Sequence, residues 1–144
     1  MALISEIVAN AELKGIRIYS ISAKCPSTPI DDETELDIST KCSLDFIEAR
    51  AGSAFASIEI EVSVDIPNEG THVIFELDVQ GAYRWPDGFD LPTETDARLA
   101  NILCRPLYSA AIMEIRKLSA SMDLGELFLS PNLPWPEDAP LDIN

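Results

Sequence analysis

Few residues in this chain have the chemistry to act as catalysts. There is one histidine, His72, three cysteines, Cys25, Cys42 and Cys104, and a large stock of carboxylates. A histidine does acid–base or nucleophilic work with a serine, cysteine or carboxylate held beside it. His72 instead follows a turn at the start of a strand-like run, with no nucleophile placed to pair with it. The cysteines are odd in number and too far apart in sequence for a metal-ligand pair. They read as thiols of a reducing compartment, Cys42 as a small buried apolar residue. Glu59, Glu61 and Asp65 alternate with apolar residues as the wet face of a strand does. The six glycines form no phosphate-cradling loop. Neither an enzyme nor a cofactor or metal is expected, and binding is the chemistry left.

The elements that position these residues begin with the stretch from 36 to 79. Leu36, Ile38, Thr40, Cys42, Leu44 and Phe46 share one parity, and Asp37, Ser39, Lys41, Ser43 and Asp45 the other. That is strand periodicity without a break. A second run puts Ile58, Ile60, Val62, Val64 and Ile66 on one face. The turn Pro67-Asn68-Glu69-Gly70 follows, then a third run from Val73 to Val79 that continues strand-like to Trp85. Three such strands form a meander with one apolar and one acidic face. Before them, 13–22 reads as a first strand, with Ile16 and Ile18 on one face and Arg17, Tyr19 and Ile21 on the other. The connection from Lys24 to Glu33 is irregular and long enough to cross the sheet. Residues 3–10 fit either a short helical turn or a flexible arm.

After the strands, Thr93-Glu94-Thr95-Asp96 offers a helix cap with acids in the first turn. A short helix through Leu99 and Ile102 is expected to stop near Cys104, with Pro106 opening a longer one. Leu107, Ala111, Ile115, Leu118 and Met122 form its stripe, flanked by Tyr108 and Ile112. The segment from Leu127 to Trp135 is apolar, broken by prolines and expected to lie extended on the body.

With 144 residues, 47% of them hydrophobic, the chain suits one domain with a real core. The reading divides it into an N-terminal arm (1–12), a domain (13–135) and a flexible acidic tail (136–144). A formal charge of −15 disfavours direct contact with nucleic acid or anionic membrane surfaces. The N-terminus carries Glu6 where a signal peptide needs basic charge, and no segment approaches transmembrane length. The cytoplasm is the expected location.

The order of elements and several local matches resemble the SecB family of export chaperones. The matches are Arg17-Ile18-Tyr19-Ser20, Glu35-Leu36-Asp37-Ile38, Phe75-Glu76-Leu77 with Gly81, Asn101-Ile102-Leu103 followed by Pro106 and Tyr108, and Leu127-Phe128-Leu129-Ser130-Pro131. The resemblance implies an α+β fold, a four-stranded antiparallel sheet with a long proline-broken helix on one face. It implies a homotetramer, a dimer of dimers joined through first-strand edges and helices. It also implies an ATP-independent holdase whose groove for non-native polypeptide is lined by Ile30, Leu36, Ile38, Thr40, Leu127, Phe128, Leu129, Leu133 and Trp135.

In that family, acidic residues on the outer sheet dock the SecA motor, and Glu76 matches one of them. The stretch Ser20-Ile21-Ser22-Ala23-Lys24 lacks the acids expected at the end of the first strand, and no motor-binding tail follows Trp135. These departures favour a SecB-like chaperone dedicated to a labile antitoxin in a toxin–antitoxin–chaperone system. The alternative within the family is a general export chaperone delivering secretory precursors to SecA. Two alternatives come from other classes: an acidic scaffold module binding one folded partner, and a binder of an apolar small ligand.

Overall fold

The computed structural model describes residues 3–24, 36–94 and 96–122. The chain runs α1 (Ile4–Asn10), β1 (Glu12–Ala23), β2 (Leu36–Phe46), β3 (Ser53–Ile66), β4 (Gly70–Arg84) and α2 (Ala97–Ser121). The strands make one antiparallel sheet in the order β1-β4-β3-β2. This is the expected four-stranded α+β arrangement. β1 and β2 lie at opposite edges, so the connection between Lys24 and Leu36 joins the two edges of the sheet. The path of that connection lies outside the described residues.

β2 begins and ends where its uninterrupted two-residue period does. Its partner β3 turns Ala54, Ala56, Ile58, Ile60, Val62, Val64 and Ile66 into the core, all buried. The β3–β4 hairpin turns at 67–69, with Asn68 and Gly70 both at positive φ. β4 adds Phe75, Leu77, Val79 and Tyr83, and Trp85 follows on the same side.

One side of the sheet is covered by α2, which lies over β2, β3 and β4 and only grazes β1. Asp96 is its N-cap and accepts the Arg98 N–H at 2.8 Å. The acid expected inside the first turn is therefore the cap itself. The side-chain hydrogen bond from Arg98, more than the charge alone, holds the Asp96 carboxyl below its ordinary pKa. Leu99, Leu103, Leu107, Ala111 and Ile115 are all buried against the sheet.

Pro106 does not end the helix. The segment is one continuous helix of 25 residues with the proline inside it. Pro106 is exposed, so its ring and missing N–H disturb the solvent side while Leu103, Cys104, Leu107 and Tyr108 stay packed. Burial of that stripe outweighs the roughly 3 kcal/mol an internal proline costs. On the core side Tyr83 Oη donates to the Leu103 carbonyl at 2.6 Å, tying β4 to the same turn.

The N-terminal segment resolves as helix. Ile7 of α1 is buried, and its carbonyl accepts Trp85 Nε1–H at 2.8 Å. Trp85 also packs against Phe46 and Tyr83, with ring centroids 6.2 Å away in each case.

Candidate polypeptide-binding surfaces

Three surfaces arise from which parts of the sheet α2 leaves wholly or partly uncovered. The first is the inner row of β2. Leu36, Ile38 and Thr40 point to the helix side, paired with Val64, Val62 and Ile60. All three are half-buried, and Leu36 and Ile38 pack against the core while keeping part of their surface open. The structure thus places these three predicted groove residues in one row on an edge strand. The other predicted lining residues, Ile30, Leu127, Phe128, Leu129, Leu133 and Trp135, lie outside the described residues.

The second surface is β1, which sequence reasoning placed only in part. Its pairing with β4 shifts register between Leu13 and Gly15 and again between Ile18 and Ser20. The second irregularity leaves Tyr19 without a partner in the ladder and reverses the parity beyond it. Ile21 therefore stands opposite Leu77, on the same inner side as Ile16 opposite Gly81 and Ile18 opposite Val79. The expectation that Ile21 shares the face of Arg17 is corrected: an inserted residue flips every side chain after it. Because α2 barely reaches β1, this row stays open, with Ile16 42%, Ile18 37% and Ile21 43% exposed. Tyr19 at the irregularity is 67% exposed. An edge strand with a free apolar row is a ready pairing surface.

The third surface is the outer face. Its centre is a shallow concavity of about 470 Å³ crossing all four strands. Two adjacent rungs run across it. One reads Ser22, Glu76, Glu61, Ser39, and the other Ser20, Asp78, Glu59, Lys41. Glu76 thus faces Glu61 and Asp78 faces Glu59 directly across the β3–β4 pair. Opposed like charges in a sheet are unfavourable by some tenths of a kcal/mol. Ser20 Oγ relieves part of this by donating to Asp78 Oδ2 at 3.0 Å. Glu76, the predicted docking residue, is exposed at the middle of this field. His72 lies apart, exposed at the start of β4 and 4.0 Å from Glu69. Among the described residues no group of three or more potential metal ligands comes together. No helix of the described residues is long and apolar enough to cross a membrane.

Comparison with known proteins agrees with this geometry. No protein-family model matches the sequence, and no curated protein does. Among solved structures, the Mycobacterium tuberculosis Rv1957 SecB-like chaperone, in complex with a ChAD peptide from the Rv1956 HigA1 antitoxin, superposes with a TM-score of 0.71 at 17% identity. The match covers 90% of this chain and 92% of that one. A protein of unknown function from Streptococcus agalactiae matches at a TM-score of 0.42 and 15% identity, over 83% of this chain and 96% of that one. At 17% identity the first likeness speaks for architecture, and on it the chain has the SecB-like fold.

Proposed function

We propose that this protein is an ATP-independent, SecB-like holdase of the cytoplasm that keeps a labile antitoxin from misfolding. The observation that carries the reading is the half-open apolar row Leu36, Ile38 on an edge strand. It occurs in a fold shared with a chaperone that was solved with an antitoxin peptide. The apolar tail residues Leu127, Phe128, Leu129, Leu133 and Trp135, with Ile30, complete the groove in this proposal. A client's apolar side chain buried there gains roughly 1.5–3 kcal/mol. Association and ordering cost an estimated 4–15 kcal/mol. One short contact therefore holds poorly, and a long non-native chain spanning several grooves holds well. A homotetramer, assembled through the open rows of β1, supplies those several grooves.

A second reading has its own observation, the opposed carboxylate rungs around Glu76. They suit a basic docking partner, as in delivery of secretory precursors to SecA or scaffolding of one folded protein. The experiment that separates these is a pull-down of the tagged chain from its own cell, with bound proteins identified by mass spectrometry. A single small partner whose regulator-like chain is degraded when released supports the antitoxin role. Many signal-bearing precursors together with SecA support export, and one folded partner that survives Leu36→Asp supports the scaffold.

A further inference from the structure

Cys42 and Cys104 are both free thiols, one on β2 and one on α2. Cys42 points to the helix side of the edge strand, directly opposite Ile58. Cys104 is fully buried, and its Sγ lies 3.3 Å from the carbonyl oxygen of Ser57, the residue beside Ile58. Ser57 is in turn paired with Ser43, the neighbour of Cys42. Successive strand residues are about 3.4 Å apart, so the helix cysteine is seated one rung from the strand cysteine on the same side of the sheet. A disulfide needs two such side chains directed at each other with little backbone movement.

We propose that Cys42 and Cys104 form a redox-modification site, a dithiol that a peroxide oxidises to a disulfide stitching β2 to α2. Cys42 is the entry point because it is only half-buried, whereas Cys104 is sealed under the sheet. The hydrogen bond from the Cys104 thiol also holds the Cys42 thiol below its ordinary pKa, against the opposing effect of burial. The same contact, followed by burial, pushes Cys104 up.

The Cys42 thiolate attacks one peroxide oxygen, the O–O bond breaks, hydroxide leaves and a sulfenic acid forms. The Cys104 sulfur then attacks the Cys42 sulfur, the S–O bond breaks, and the Cys104 proton leaves with the hydroxyl as water. Two thiols lose two electrons and two protons in all, and the peroxide becomes two waters. The new bond pins the strand that carries Leu36, Ile38 and Thr40 to the helix beside it.

The test is to treat the reduced full-length chain with hydrogen peroxide, alkylate, and map peptides without reduction. The expected result is a Cys42–Cys104 linked peptide, an intact mass lower by two hydrogens, reversal by dithiothreitol, and several-fold slower amide exchange along β2. Cys42→Ser, at a half-exposed position, is expected to keep the far-UV spectrum and lose the crosslink. The proposal is overturned if the links formed join Cys25 to another cysteine. Intermolecular dimers, or Cys42 oxidation to the sulfinic acid without a crosslink, overturn it equally.

Discussion

Gly81 on β4 faces Leu107 on α2 so closely that a Cβ added to the glycine would stand 2.9 Å from Leu107 Cδ2 and 3.1 Å from Leu13 Cδ1. The missing side chain sets how near the helix lies to the sheet, midway along the covered face. Gly81→Val is expected to lower stability by about 1–3 kcal/mol through overpacking. Urea unfolding followed by circular dichroism reads this as a lower midpoint with an unchanged slope.

The bond from Trp85 Nε1 to the Ile7 carbonyl makes α1 part of the body. Trp85→Phe keeps most of the ring volume and leaves that carbonyl unpaired, at a cost of about 1–3 kcal/mol. Amide exchange in 4–10 is expected to rise well before exchange in β3 does.

Burial pushes the Tyr83 phenol up to about 12 from an ordinary value of 10, with the nearby Cys104 adding to the shift. Tyr108 moves in the same direction, also by burial. A raised folded pKa means that Tyr83 stabilises fully below pH 10, where both states hold the proton. Between pH 10 and about 12 the unfolded chain releases the proton while the fold retains it. Stability therefore falls in that window, by about 1.4 kcal/mol per pH unit at most. Denaturant titrations at pH 9 and pH 11.5 should show the fall, and Tyr83→Phe should make it shallower.

The open row of β1 predicts self-association. Ile16→Lys with Ile18→Lys changes two side chains already 42% and 37% exposed, so the monomer is expected to fold. Light scattering on a sizing column is expected to find an oligomer for the unaltered chain and the 15.8 kDa monomer for the double variant. An unaltered chain that runs as a monomer at micromolar concentration removes the basis for several grooves per particle.

How much of this was legible in the sequence depends on what interrupted its periods. β2 could be read to its ends because eleven residues alternate without a fault. β1 could be found but its faces could not, because nothing local announces the inserted Tyr19 that brings Ile21 round to the core side. Pro106 looked like a helix boundary on local chemistry. Which side of the helix faces water decides otherwise, and that depends on the packing of Leu103 and Leu107. The carboxylates of Glu59, Glu61, Glu76 and Asp78 were visible singly, whereas their opposition across β3 and β4 depends on register. Of the candidate groove, Leu36, Ile38 and Thr40 fell where the alternation put them.

The central claim is that an apolar groove on the β2 side holds non-native polypeptide. It is tested most directly by the aggregation of a chemically unfolded client diluted into buffer, followed by light scattering, with the unaltered chain or with Leu36→Asp combined with Phe128→Asp. The account predicts that the unaltered chain suppresses scattering without ATP, and that the double variant loses most of this while keeping its far-UV spectrum and its unfolding free energy within about 1 kcal/mol. Equal suppression by the folded double variant would contradict it and move client binding away from this groove.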